Sequence, residues 1–117
     1  MISPPQGFPR QARLIRKADF DRVFASGRRV RSRHFMLTAA PGESVPRLGM
    51  AIGRRYATRA VARNRVKRLV REVFRHAELP PLDIVVTVRP DAARTPGCEL
   101  AAELARDFEK LKIGKLI

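Results

Sequence analysis

The sequence predicts an α+β fold: helices packed on a mostly antiparallel sheet in a two-layer sandwich. Two kinds of periodicity predict it. Residues 59–77 repeat apolar side chains at 3.6-residue spacing, with Ala62, Val66, Leu69, Val70, Val73, Phe74 and Ala77 on one stripe. Three other stretches, 34–40, 47–53 and 83–88, alternate or run in β-branched residues as strands do. Helical patterns at both ends give the order helix, strands, long helix, strand, helix. With 117 residues the chain is long enough for one domain with one modest core.

Each element has its local reason. MISPPQGFPR, residues 1–10, has three prolines and no periodicity, so residues 1–12 are expected to form a flexible arm before a single domain over 13–117. Phe20, Val23 and Phe24 share a face at i, i+3, i+4, which predicts a helix from Lys17 or Ala18 to Ser26, ended by Gly27 in the left-handed conformation. Asp19 and Asp21 lie about 200° apart on that helix and suit its first turn, where acids favour the dipole. The basic run GRRVRSR leads into the strand His34–Ala40, closed by the turn Pro41-Gly42. Alternation turns Phe35 and Leu37 one way, Met36 and Thr38 the other. In Arg47–Gly53, Leu48, Met50 and Ile52 alternate with Gly49 and Ala51, whose small side chains permit close approach on the second face. Thr58 stands as an N-cap before the long helix. Leu79-Pro80-Pro81 ends it. Asp83–Val88 reads as a central strand buried on both faces. Asp91–Arg94 is expected to be a loop, and Thr95-Pro96 an N-cap with proline at the first helical position. Leu100, Leu104, Phe108 and Leu111 define the last helix, with 113–117 frayed.

The net charge is +14, from 25 Lys or Arg against 11 Asp or Glu. Residues 1–78 hold nineteen basic and five acidic side chains, and residues 79–117 hold six of each, so the first two thirds carry the whole excess. Such a footprint makes nucleic acid the default partner. Within the long helix Glu72 is the one acid among seven Lys or Arg, whereas a merely solvated helix mixes signs for i,i+4 pairing. A membrane surface fits less well, because the helix lacks a Trp/Phe/Leu-rich face beyond its core stripe. No apolar run reaches the ~18 residues of a membrane span, and no secretory h-region is expected. Cys98, the single cysteine, rules out an internal disulfide and agrees with a cytoplasmic location. His34, His76 and Cys98 match no zinc spacing, and no nucleophile elbow, P-loop or magnesium-binding acidic cluster is present. No catalytic side chain and no metal ligand is therefore assigned to the protein.

Arg63-Asn64-Arg65, Lys67-Arg68 and Arg71-Glu72 together resemble the signature helix of the bacterial ribonuclease P protein component. The resemblance extends to Leu48–Arg55, to Asp19-Phe20, Val23-Phe24 and Gly27, and to Asp83–Val86, so that residues 13–108 follow the family's order and spacing. It implies the order α-β-β-β-α-β-α, one parallel strand pair and a left-handed βαβ crossover, the fold of the second domain of a ribosomal protein, where general handedness rules favour a right-handed one. It implies that an RNA subunit performs the chemistry, removing the 5′ leader of precursor tRNA with magnesium held mainly by RNA and substrate. The protein component then makes the whole an endoribonuclease and needs no obligate protein partner. By the same resemblance Arg54, Arg55, Arg59, Arg63, Asn64, Arg65, Lys67, Arg68 and Arg71 would dock the ribonuclease P RNA. Phe20, Phe24, Phe35 and Thr38 would meet the leader, since aromatic faces stack on any base. Thr38 stands where the family often has a third aromatic, and Gly53 where it has serine. Two rivals remain: a ribosomal or other structural RNA-binding protein without a role in cleavage, and a helix-in-groove DNA-binding protein, which the missing short helix and tight turn disfavour.

Overall fold

A computed structural model of the chain describes residues 17–42, 45–52 and 60–116. The N-terminal arm, Gly53, Arg54, Arg55, Thr58 and Arg59 lie outside the described residues. Helix α1 spans Lys17–Ser26, strands β1, β2 and β3 span Arg28–Arg31, Phe35–Pro41 and Arg47–Ile52, and helix α2 spans Ala60–His76. Strand β4 (Leu82–Val88), a 3₁₀ turn (Pro90–Arg94) and helix α3 (Gly97–Leu116) complete the chain.

The sheet order is β1-β2-β4-β3. Pairing is antiparallel for β1–β2 and β2–β4 and parallel for β3–β4, so the long helix joins two parallel neighbours. β4 is central, and its side chains are buried on both faces apart from a half-buried Thr87. That is the reason a run of β-branched residues without polar alternation is stable there.

The two sheet faces have different covers. On one, Phe35, Leu37, Leu48, Ile84 and Val86 pack with Val66, Val70 and Phe74 of α2 and Leu100, Leu104, Phe108 and Leu111 of α3 to form the main core. Phe74 meets Phe108 edge-on with ring centroids 6.0 Å apart. On the other face α1 packs Val23 against Ala40 and Val85, flanked by Phe20, Phe24 and Ala51. α1 is short and lies on β2 and β4, so this face is the thinner layer.

Five local expectations are corrected. The basic run itself supplies β1, which apolar alternation could not reveal because Val30 is its sole apolar residue. Gly27 has no positive φ. Its backbone N–H donates to the Val23 carbonyl at 2.8 Å. A Cβ there would sit 2.5 Å from that carbonyl oxygen and 2.8 Å from the Thr38 methyl, so glycine is required by close approach. Residues 90–94 form a 3₁₀ turn, and Thr95 does not cap α3, because its hydroxyl faces Asp91 O and His34 Nε2. The first α3 amides donate to Pro96 O, and the helix continues to Leu116 without fraying at 113.

The left-handed position lies elsewhere, at Glu78 (φ 51°), just past the end of α2. A non-glycine residue in that conformation costs about 1–2 kcal/mol, partly offset by the entropy glycine would lose. Replacement Glu78→Gly is therefore expected to raise stability by about 0.5–1 kcal/mol in urea denaturation, and a loss would contradict this account of the helix end.

Candidate nucleic-acid interface

The α2 stripe that seats the helix also fixes what it presents to solvent. Val66 and Val70 are fully buried, while Leu69, Val73 and His76 turn toward α3, where Leu69 lies against Gly97. Lys67, Arg68, Arg71 and Asn64 consequently point away from both α3 and the sheet. Arg63, Asn64, Arg65 and Arg68 are exposed, and Lys67 and Arg71 are half-buried along the flank. Glu72 is engaged locally, 3.1 Å from Arg75 Nη1 and 3.6 Å from His76 Nδ1, as expected of an orienting ion pair. The helix thus presents a cationic ridge that one acid in its last turns barely offsets.

Phe20 and Phe24 lie on the opposite sheet face, half-buried, with ring centroids 6.5 Å apart and planes tilted by 55°. They and Ala51 of β3 pack around the same buried cluster of Val23, Ala40 and Val85. Phe35 is not with them. It is fully buried in the main core on the other face, as the period-two alternation of β2 requires, so the structure does not bring it to the aromatic pair. Thr38 does lie on the pair's side of the sheet but is fully buried, and its hydroxyl, like that of Thr87, has no hydrogen-bond partner among the described residues.

Two charged networks escaped the sequence reading. In the first, Asp83 is 1% exposed at the head of β4. Arg47 of β3 donates to its carboxylate through Nε at 2.9 Å and Nη2 at 2.8 Å, and Arg22 of α1 donates a third, short hydrogen bond. Asp19 stands 3.8 Å from Arg22 and 3.7 Å from Arg47. Burial opposes the Asp83 charge, but the hydrogen bonds and charges of Arg47 and Arg22 outweigh it and hold the carboxyl below the usual range. An acid inside a buried apolar strand was the available signal.

In the second, His34 is buried with Nδ1 2.7 Å from Glu103 Oε1, while its backbone N–H donates to Glu103 Oε2 at 2.7 Å. Ser32 Oγ lies 2.6 Å from Glu103 Oε2 and 2.5 Å from Asp107 Oδ2. One hydroxyl hydrogen satisfies only one of these contacts, and a proton on Asp107 satisfies the other. Burial and the Glu103 charge push Asp107 up, against the pull of the Ser32 hydrogen bond. Glu103 is held low despite burial by hydrogen bonds from Ser32 and His34. Among the described residues no three His, Cys, Asp or Glu side chains converge as metal ligands, and no helix is long and apolar enough to cross a membrane.

A family model described as Ribonuclease P matches residues 8–112. The chain belongs to the ribonuclease P protein family. A ribonuclease P protein component from Nitrosococcus oceani is 45% identical over 105 residues, covering 87% of this chain and 88% of that one. Among solved structures, a Staphylococcus aureus RNase P protein mutant, described as defective in mRNA degradation activity, aligns with a TM-score of 0.82 at 26% identity, over 87% of this chain and 89% of that one. The Thermotoga maritima RNase P protein aligns with a TM-score of 0.73 at 28% identity, over 84% and 96%. The mixed sheet with its parallel β3–β4 pair is therefore a ribonuclease P protein fold.

Stability should depend on pH in two opposed ways. Asp83 and Glu103 sit below their ordinary values. Their contribution is complete above the ordinary carboxylate range and is lost as pH falls through the folded-state values. Asp107 sits above its ordinary value, so its contribution is complete below that value and is lost as pH rises through the raised one. Asp83→Asn is expected to cost about 2–4 kcal/mol at pH 7, the cost of leaving two guanidiniums without their anion, discounted for the exposed Arg22. Asp107→Asn is expected to be at least as stable as the parent at pH 7. Urea melts of both variants between pH 3 and 7 test this, and equal losses at pH 7 would contradict it.

Proposed function

We propose that this chain is the protein subunit of a bacterial ribonuclease P, binding its catalytic RNA and the 5′ leader of precursor tRNA and so promoting release of the mature 5′ end. The observation that carries the reading is the strongly cationic face of α2, with one acid among its basic side chains, in a member of the ribonuclease P protein family. Arg63, Asn64, Arg65, Lys67, Arg68 and Arg71 dock ribozyme phosphates, with arginine favoured because its planar fork pairs with phosphate through two bonds. Arg54, Arg55 and Arg59 extend that surface.

Phe20 and Phe24 stack against leader bases. Their tilted planes and partial exposure suit a surface that takes unpaired nucleotides on one side and packs on the Val23, Ala40 and Val85 cluster with the other. Magnesium is held mainly by the RNA and the substrate, and the protein acts by positioning and by neutralising phosphate charge. The subunit works in the cytoplasm with RNA partners and no obligate protein partner. A structural RNA-binding protein without a role in cleavage would share the ridge but would leave precursor processing unchanged.

Reconstitution separates the two. Added to a bacterial ribonuclease P RNA at low magnesium, the chain is expected to restore precursor tRNA cleavage, while the protein alone, tested on precursor tRNA and on mRNA, is expected to cut neither. With about six phosphates neutralised, ribozyme affinity should fall with salt at a log–log slope of about −4 to −5, and a flat response would contradict phosphate docking. Arg68→Ala should weaken that affinity with the fold intact. Phe20→Ala should weaken binding of leader-bearing precursor more than of mature tRNA, by about 1–3 kcal/mol if it stacks on one base. Equal effects on the two would make Phe20 a packing residue.

A further inference from the structure

A second cationic surface lies at the sheet edge opposite to α2. The segment 28–33 holds four arginines and no acid. Two are tied down. Arg28 donates to Leu111 O at 3.2 Å and Arg29 to Phe24 O at 3.4 Å. The other two, Arg31 and Arg33, are exposed, and neither has a hydrogen bond or ion pair among the described residues. Across a groove of about 500 Å³ stand Arg106 and Lys110 of α3, both exposed. The groove is also lined by the Ser32–Glu103–His34–Asp107 network, whose carboxylates are engaged in internal hydrogen bonds, and by the exposed Glu99, so four cations stand against one acid at the rim.

The network explains why the rim is firm. The three-residue connection Ser32-Arg33-His34 would ordinarily move, together with exposed Arg33 and the neighbouring Arg31. Here Ser32 Oγ, the His34 ring and the His34 backbone N–H all bond to α3, and Ser32 N–H donates to Phe35 O at 2.9 Å. Two unpaired guanidiniums are thereby held in fixed relation to two cations on the neighbouring helix. A phosphodiester backbone is the ligand whose charge and spacing this suits, since each phosphate accepts a guanidinium fork and successive phosphates lie one nucleotide apart.

We propose that Arg31, Arg33, Arg106 and Lys110 form a second RNA-backbone site, which holds a further RNA segment while α2 holds the first. α2 packs beside β3 and α3 beside β1, so the two surfaces lie toward opposite edges of the sheet. The site rests on the reading of the chain as a ribonuclease P subunit. The RNA segment belongs either to the ribozyme or to the precursor tRNA, and the measurement distinguishes them. The competing account is that edge arginines merely discourage strand-to-strand aggregation.

The test uses the full chain with Arg31→Gln and Arg33→Gln together, titrated against ribonuclease P RNA alone and, as reconstituted holoenzyme, against precursor tRNA, each from 50 to 300 mM salt. Because neither side chain has a hydrogen-bond or ion-pair partner among the described residues, the melting temperature should not change. The expected result is a log–log salt slope shallower by about 2 in one of the two titrations, with parental slope in the other. A shallower slope with ribozyme alone assigns the segment to the ribozyme, and one confined to the holoenzyme assigns it to the substrate. Parental slopes and affinities in both titrations would overturn the second site. Failure of the parent protein to bind the ribozyme at all would overturn the function reading, an outcome distinct from either.

Discussion

One buried carboxylate sets where the thin layer of this fold lies. α1 offers the sheet little beyond Val23 and the sides of Phe20 and Phe24, too small an apolar area to fix a ten-residue helix by itself. Asp83 supplies the missing constraint. Its two oxygens take hydrogen bonds from α1 and from β3 at once, so helix and edge strand are referred to the same point on the central strand. An apolar triad of equal volume would be as stable. It would not fix direction, because dispersion contacts tolerate sliding where a bidentate guanidinium does not. Phe20 and Phe24 flank Arg22 at two residues on either side, so the placement of the aromatic pair on this face is inherited from that bond.

The long helix, the central strand and the faces of β2 and β3 were legible in the sequence because each is governed by burial, and burial leaves a period. The same rule puts Phe35 in the main core, away from Phe20 and Phe24, which overrides its resemblance-based place among the leader-contacting residues. What burial does not govern was not legible. β1 is held by backbone pairing to β2 at an edge where both sides can be polar, so RRVR carries no alternation to read. Gly27 showed itself as a helix terminator, but the reason for glycine is a carbonyl and a methyl brought near by the fold, which no local pattern contains. Thr95 looked like a cap because threonine before proline often is one. Its hydroxyl was claimed by His34, sixty-one residues away.

Charge is distributed by the same division of labour. α3 mixes acids and bases and spends its acids inward, Glu103 and Asp107 on the β1–β2 turn, while Glu109 pairs with Lys112. α2 spends almost nothing inward, and its single acid serves the last turn. Helices of opposite habit lie side by side on one sheet face, joined by Leu69, Val73, Phe74 and Phe108, so the crowded cations of α2 are seated mainly by apolar packing. Packing of this kind is insensitive to salt, whereas the phosphate docking proposed for the ridge would not be. On that proposal the protein would keep its fold at ionic strengths that weaken its hold on RNA.

The buried His34 network extends this reasoning to the far edge. Four polar side chains in a small domain are costly to desolvate, and a Leu or Val set would fill the same space. Such a set would leave the turn backbone unbonded, because the His34 N–H and the Ser32 hydroxyl both need acceptors where β1 ends and β2 begins. Glu103 is long enough to reach both from α3, and its second oxygen orients the imidazole. Asp107 joins beside it at a cost: burial and the neighbouring Glu103 charge push its carboxyl up, against the pull of the Ser32 hydrogen bond and of the nearby Lys110 and Arg106. The resulting joint holds the one turn whose arginines have no partner within the described residues, which is the expenditure a fold makes when the position of those arginines matters more than the stability of the turn.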